Sequence, residues 1–377
     1  MKTLTVRKLL ASFVVLGTAA SSITGSVQAA DHLSGHDAHP VFHLRRAATT
    51  SPTGLSPSQI KTVYNLPSTG GSGTIAIVDA YNAPNIEKDL GTFNTKFSLP
   101  ACTTSNGCFE KHQMRSSLPT DSGWALEISL DVEWAHAIAP TAKILLVEAR
   151  SSSLADLLAA VDYARGRSGV TAVSMSWGGS EFSSEAQYDS YFTSATGATF
   201  YASSGDSGHG VSWPSVSSNV VSVGGTTLGF DASGALASET AWNGSGGGLS
   251  QYEPEPGYQT TFNVPNDSTA KRAVPDVSYN ADPASGFSVY DSTRYNRQSG
   301  WFQVGGTSAG APQWAAIKAL GQSATASQIY QDAASTNAAS FLRDVLTGTN
   351  GTCATYCTSG VSYDYVTGLG SPLTTAF

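Results

Sequence analysis

Residues 305–312 read GGTSAGAP, and a helix-like run, QWAAIKAL (313–320), follows. Small residues crowd Ser308 at a turn just ahead of a helix, which is how a nucleophilic serine is often presented. A serine hydroxyl is a weak nucleophile until a base stands beside it. Histidine is the usual base, so the first question is which of the seven histidines serves Ser308. Four of them, His32, His36, His39 and His43, fall in an N-terminal stretch, DHLSGHDAHPVFHLRR (31–46). His112 stands in a polar loop-like segment, FEKHQM, His209 follows a Gly-Asp-Ser-Gly turn, and His136 lies inside a helical pattern.

Upstream of Ser308, apolar runs alternate with segments of helical spacing. TIAIVDAY (74–81), KILLVEA (143–149), TAVSMSW (171–177), ATFYASS (198–204) and VVSVGG (220–225) read as buried strands. NIEKDLGTFNTKF (85–97), ALEISLDVEWAHAI (125–138) and SLADLLAAVDYAR (153–165) read as helices, with a further candidate at EAQYDSYFTSA (185–195). Apolar strands alternating with helices predict an α/β fold, a parallel sheet with helices on both faces. Residues 227–300 are rich in Gly, Ser and Asn and are expected to form long surface loops.

Composition narrows the classes of function. Lys2, Arg7 and Lys8 precede a short apolar run (9–20), and SVQAA offers small residues for cleavage near Ala29 or Ala30. Residues 1–30 therefore read as a secretory signal peptide, too short in its apolar part to span a bilayer. Its removal takes the formal charge from −8 to −8 − 3 = −11. The expectation is a soluble, secreted protein, and an acidic chain argues against nucleic acid or an anionic membrane as partner. Residues 31–54 read as a short leader or pro-segment ahead of one domain, 55–377. That leader is either a flexible, processed stretch cut near Arg45-Arg46 or a metal-capturing histidine cluster. Four cysteines fall in two close pairs, Cys102 with Cys108 and Cys353 with Cys357, which in a secreted chain predicts two local disulfides. Zinc is the weaker reading, because neither pair has histidines at finger spacing.

No histidine stands in the HGT-like turn opening a helix that a subtilisin-type order of Asp79, His, Ser308 demands. At that place stands DSGWALEISLDVEWAHAIAP (121–140). Glu127 and Asp131 are four apart, so a helix puts them on one face with Cβ atoms about 5–6 Å apart. Their flanks (Trp124, Ala125, Leu126, Ile128, Leu130, Val132, Trp134) are those of a buried helix rather than a solvated acidic face. Buried paired carboxyls hold a proton between them, so one can act as a base in acid while the other orients it. Glu133 is the alternative member, on another side of the helix. A third acid, Asp206, sits in YASSGDSGHG (201–210) at a strand end, where polar side chains often line a site.

Taken together the chain resembles the sedolisins, the serine-carboxyl peptidases of subtilisin-like fold, from LSPSQIKTVYNLP (55–67) to GLGSP (368–372). The resemblance rests on four motifs in order: Glu127-x-x-x-Asp131, the SSGDSG turn with Asp206, VGGTT (223–227) and the GGTSAGAP serine, Ser308. It implies that Ser308 attacks a peptide carbonyl, Glu127 takes its proton, Asp131 orients Glu127, and Asp206 completes the oxyanion hole. It implies acid activity, because a carboxylate base stays usable where histidine is charged. It also implies that Ser176, Trp177 and Gly178 in SMSWGG (174–179) bind substrate, with Asp79 extending the carboxyl network through Trp177.

The same resemblance implies one calcium ion, held by Asp344 and Asp364 with the carbonyls of Val345, Gly360 and Ser362. The family has glycine where Ser362 stands, which a backbone ligand tolerates if its φ is not positive. Many relatives carry a long prosegment, whereas about 25 residues separate signal and domain here. Two other readings stay open: a subtilisin-type peptidase using Asp79, His136 and Ser308, and an inactive relative used for binding.

Overall fold

The computed structural model describes Met1, Leu33 and residues 35–265, 267–321 and 324–373. The signal-peptide reading of residues 1–30 falls almost wholly outside these, as does His32. In chain order the strands that concern the site are β1 (His39–Pro40), β2 (His43–Leu44), β3 (Thr74–Ala80), β4 (Phe109–Gln113), β5 (Lys143–Ala149), β6 (Val170–Met175) and β7 (Trp177–Gly178). They continue with β8 (Thr199–Ser203), β9 (Val220–Phe230), β10 (Leu236–Ala241), β11 (Gly248–Pro254), β12 (Lys271–Val274), β13 (Val277–Asn280), β14 (Phe287–Tyr295) and β15 (Gln298–Gly305).

The main sheet has the order β10-β9-β8-β6-β3-β5-β4, with β13 also paired to β9. Every pairing in it is parallel except β9 with β10. Both faces are covered, which explains the unbroken apolar runs. Alternate residues of β3 serve opposite cores: Ile75 and Ile77 pack with Trp134 and Ile317 on one side, Ala76 and Val78 with Leu157 and Val161 on the other. From β3 the chain builds first toward β5 and β4, then returns to the other side of β3 with β6 and β8. Such a reversal opens a crevice at the carboxyl ends of the two central strands, which is where ligands bind in open α/β sheets.

Two helices frame this crevice. Ser122–Ile138 starts from Asp121, whose Oδ1 accepts the N–H groups of Gly123 and Trp124 at 2.9 and 3.1 Å. Every residue from Trp124 to Ile138 is buried. Gly310–Ala319 follows the serine turn and packs on β3, β6 and β8.

Three expectations are corrected. Residues 227–300 are not mainly surface loop, since β10 to β14 lie there. His112 lies in β4, an edge strand, with its ring stacked on Tyr163, rather than in a loop. The leader is not a free tail: β1 pairs with β7 and β2 with β15. Its histidines form no metal cluster among the described residues. His36 packs on Phe182 and His43 edges toward Trp242. Both local disulfides are present, Cys102–Cys108 and Cys353–Cys357.

The β12–β13 region is tied down by an ion pair sealed from water. Arg272 donates to Asp276 Oδ1 and Oδ2 at 2.9 and 2.6 Å, both side chains being fully buried. Asp276 also accepts from Ser222 N at 2.7 Å and from the Tyr330 hydroxyl at 3.0 Å. Removing one partner leaves an uncompensated buried charge. The substitution Asp276→Ala is expected to cost about 3–5 kcal/mol in urea unfolding; a change below about 1 kcal/mol would show that the pair does not anchor this region.

Candidate active site

Asp79 is the penultimate residue of β3, and Ser176 follows β6 directly, so both stand at the lip of the crevice. Ser308 lies in a single tight turn, Thr307–Ala309, that runs into the helix Gly310–Ala319. The two loops lock together: Ser308 Oγ donates to Ser176 O at 3.3 Å, and Ser176 Oγ donates to Ser308 O at 3.1 Å. From the helix above, Glu127 meets the Ser308 hydroxyl on one side and Asp131 on the other, and Asp131 in turn meets Ser176. Ser308, Glu127, Asp131 and Asp79 are all fully buried. Glu133 is elsewhere, accepting Tyr290 N at 3.0 Å.

The carboxyls of Asp79, Glu127 and Asp131 have no hydrogen-bond donor when all are written as carboxylates. Facing acceptors can satisfy one another only by holding protons, which fits acids buried without a cation. Burial above all, then the charge of Asp79, pushes Glu127 well up; the neighbouring Ser308 hydroxyl and Asp131 carboxyl, able to donate to its charged form, pull it back. Asp131 is likewise raised, first by burial, then by Asp79 and Glu127. Burial, with Glu148 behind it, pushes Asp79 up to about 8. In acid Asp79 is therefore neutral, and its opposition to a charge on the Glu127–Asp131 pair disappears. The pair titrates as a unit, and its first ionisation supplies a shared negative charge beside Ser308.

Asp206 is built differently. Its Oδ1 accepts both the N–H and the hydroxyl of Thr307 at 2.8 Å. Its Oδ2 is buried with no hydrogen-bond partner, and His43 Nε2 approaches it to 3.4 Å. Burial, opposed by the two Thr307 bonds, pushes Asp206 up to about 7. Below that pH its free oxygen carries a proton and becomes a donor aimed into the site. Gly306 leaves the room: its φ is +124°, and a Cβ there would lie 2.5 Å from Asp206 Oδ2. Thr307, which positions Asp206, was not singled out from sequence, although it lies inside the serine motif.

Trp177 and Gly178 form β7, and their backbone pairs with Pro40 and His39. The Trp177 indole is fully buried and donates to Val78 O at 2.8 Å. Contrary to the expectation from sequence, it therefore does not link Asp79 to the network; Asp79 acts on Glu127 and Asp131 directly. His136 is also removed from the chemistry. Nine residues beyond Glu127 it faces away, its Nε2 2.9 Å from Pro100 O, and burial lowers its pKa. The subtilisin-type assignment of Asp79, His136 and Ser308 is not assembled. His136 and His209 each lie beside a disulfide, whose sulfurs offer no thiolate to a metal.

The C-terminal loops named for calcium meet each other. Ser362 N donates to Asp344 Oδ2 at 2.8 Å. Asp364 accepts Val366 N and Thr367 N at 2.8 Å on one oxygen, and Thr367 Oγ1 and Gly360 N at 2.9 and 3.2 Å on the other. Burial pushes Asp364 up to about 6 and raises Asp344. Neither acid has an ion-pair partner among the described residues, while adjacent Arg343 is turned to Glu239 at 2.6 Å. Two carboxyls without a paired cation are hard-oxygen donors of the kind calcium takes. Ser362 has φ +68°, so the condition under which serine would replace glycine there without cost is not met. The position takes the left-handed conformation that glycine adopts without strain.

The fold and this grouping have counterparts among known proteins. Residues 122–362 match the family model described as the subtilase family. The chain is 28% identical to sedolisin of Pseudomonas sp. (strain 101), covering 93% of this chain and 65% of that protein. It is 31% identical to kumamolisin of Bacillus sp. (strain MN-32), covering 75% of this chain and 56% of that protein. It thus spans 65% and 56% of the length of these relatives. Pseudomonas sedolisin, a serine-carboxyl proteinase solved with two molecules of pseudo-iodotyrostatin, superposes with a TM-score of 0.71 at 26% identity, covering 85% of this chain and 96% of that one. With its parallel sheet, its serine turn and its carboxyl-bearing helix, the chain belongs to the subtilase family, in the sedolisin branch.

Proposed function

We propose that this chain is a secreted, acid-active serine-carboxyl endopeptidase acting on proteins or peptides as a monomer. The observation that carries this reading is the meeting of Ser308 with Glu127, backed by Asp131, at a site where no histidine among the described residues bonds the serine. Ser308 Oγ attacks the substrate carbonyl carbon as its proton passes to Glu127, and Asp131 holds Glu127 in place. The scissile C–N bond breaks, the leaving amine takes the proton, and water then cleaves the Ser308 ester. Asp206 Oδ2–H donates to the developing oxyanion; loss of one such donor costs about 10²–10³ in rate in a related hole. Ser176, Trp177 and Gly178 offer backbone to an extended substrate. No helix among the described residues is long and apolar enough to cross a membrane.

Calcium is the proposed ion at Asp344, Asp364 and the carbonyls of Val345, Gly360 and Ser362, where it would tie the two C-terminal loops together. A chelator is expected to lower Tm and added calcium to restore it, with Asp344→Ala abolishing the response. A Tm indifferent to chelator in the unaltered protein would contradict the assignment.

Acid stability follows from the same buried acids. Asp79, Asp206 and Asp291 move from 3.8 up to about 8, 7 and 7 in the fold, chiefly by burial. Between those values the folded chain binds more protons than the unfolded one, so unfolding free energy falls as pH rises. That contribution is complete below about pH 4 and is lost as pH climbs to about 8. Calorimetry with calcium held constant is expected to give a lower Tm at pH 8 than at pH 4; the opposite order would refute the titration scheme.

The pH–rate profile tests the catalytic reading. Glu127→Gln and Ser308→Ala are each expected to remove hydrolysis of a denatured protein between pH 2 and 8. In the wild type the alkaline limb should fall as Asp206 loses its proton near pH 7. Asp206→Asn keeps a donor at all pH, so its residual activity should extend further toward neutral pH. Activity that survives Glu127→Gln would overturn the proposal.

A further inference from the structure

A row of polar side chains crosses the sheet behind the catalytic acids. Asp79 of β3 stands opposite Glu148 of β5, and Glu148 stands opposite Gln113 of β4, all in parallel register. Alternation puts Asp79, Glu148, Gln113 and Lys111 on the face where Ile77, Leu146 and Phe109 pack with Leu130 and Trp134 of the helix Ser122–Ile138. Asp79 and Glu148 are both fully buried. Adjacent strands lie about 4.8 Å apart, so two charges in this register repel. The pair has room for one charge, and its hydrogen bonds show which member carries it.

Glu148 is built to be ionised. Its Oε1 accepts Ala83 N at 2.8 Å and lies 2.9 Å from Lys111 Nζ, and its Oε2 accepts Gln113 Nε2 at 2.8 Å. Lys111 is fixed in turn by donating to Ala83 O at 2.7 Å and Asn82 Oδ1 at 2.8 Å. Neither oxygen of Asp79 has a donor. Burial raises Glu148 too, but the Lys111 charge and the bonds from Lys111, Ala83 and Gln113 oppose it, whereas burial and the Glu148 charge both raise Asp79. The other charged groups on the elements packed here are turned elsewhere. On the helix Ile86–Phe97, Glu87 accepts Thr104 N, Asp89 accepts Ser292 N and Lys88 is exposed. On the opposite face His112 stacks on Tyr163, while Glu110, Asp156 and Asp162 pair with Arg167, Arg150 and Arg165. Glu127 and Asp131 are the acids that feel a charge on Asp79.

We propose that Glu148, its charge held by Lys111 and Gln113, is a positioning residue for the reaction: it keeps Asp79 neutral, so that Glu127 and Asp131 alone carry the charge beside Ser308 as pH rises toward neutral. This rests on the peptidase reading above. Glu148 bonds none of the catalytic groups and acts through Asp79. In strong acid both members of the cross-strand pair are neutral. As pH rises Glu148 ionises first, beside its lysine, and its charge then opposes ionisation of Asp79. While Asp79 is neutral, no further charge from it bears on the Glu127–Asp131 pair, and Glu127 can take the Ser308 proton. Once Asp79 ionises, its charge holds protons on that pair and the base is lost. Without the Glu148 charge that loss moves to lower pH.

The test is a carbon-13 titration of labelled Asp and Glu side-chain carboxyls in the full chain carrying Ser308→Ala, alone and combined with Glu148→Gln or Glu148→Asp. Hydrolysis of a denatured protein is followed against pH in the same Glu148 variants with the serine intact. In the Ser308→Ala chain Glu148 is expected to lose its proton at lower pH than Asp79; the reverse order overturns the inference without any change at position 148. Glu148→Gln is expected to move the Asp79 titration down by about 1 pH unit or more. The ratio of hydrolysis at pH 6.5 to that at pH 4 should fall about threefold or more in that variant. Glu148→Asp keeps a charge in register and should hold Asp79 near its original titration. An Asp79 unmoved by Glu148→Gln overturns the inference, as does an equal fall in both variants, which would make the effect one of packing. An unchanged pH–rate profile in Glu148→Gln also overturns it and leaves the peptidase reading standing. A wild type without hydrolysis at any pH overturns that reading and the positioning role with it.

Discussion

Four carboxyl groups, Asp79, Glu127, Asp131 and Asp206, are buried around one serine, and no lysine or arginine among the described residues is paired with them. A lone buried carboxylate is costly, so such groups hold their protons far above the pH at which they would release them in water. The architecture around the serine follows from that constraint. The helix Ser122–Ile138 must be buried on every side to keep Glu127 and Asp131 dry. The glycine at 306 must leave space for the Asp206 oxygen. Thr307 must give Asp206 two hydrogen bonds so that one oxygen is fixed while the other is left for a proton.

The constraint also separates roles among chemically similar groups. Asp206, bonded by Thr307, is raised less than Asp79, which has no donor at all. Glu127 has a hydroxyl and a second carboxyl in reach, and these favour its charged form. One acid thus keeps a proton to donate while a neighbouring pair shares a charge that can accept one. Calcium, where proposed, lies outside this network in the C-terminal loops and bears on stability rather than on the proton inventory of the site.

Much of this was legible in the sequence because it is local. The spacing of Glu127 and Asp131 within an apolar helix, and the unbroken strands at 74–81, 143–149 and 171–177, state their burial directly. What was not legible depends on partners distant in the chain. β10 to β14 are Gly- and Ser-rich or short, and take their strand character from pairings such as β13 with β9 and from Arg272–Asp276. The role of Trp177 was misread because nothing local distinguishes a bond to Val78 O from one to Asp79. The leader's pairing with β7 and β15 had a single local sign, Pro40 enforcing an extended His39, and those strands lie more than a hundred residues away.

The claim at the centre is that Asp79 and Asp206 remain protonated well into the pH range where ordinary carboxyls are charged, while Glu127 and Asp131 share one proton and one charge. Carbon-13 NMR of labelled side-chain carboxyls in a Ser308→Ala background, titrated from pH 3 to 9, reads this directly. The account predicts that Asp79 and Asp206 titrate near 8 and 7, and that Glu127 and Asp131 titrate together in two coupled steps, the first leaving one shared charge in acid and the second displaced upward. Four independent titrations near pH 4, each unaffected by replacing its neighbours, would contradict it.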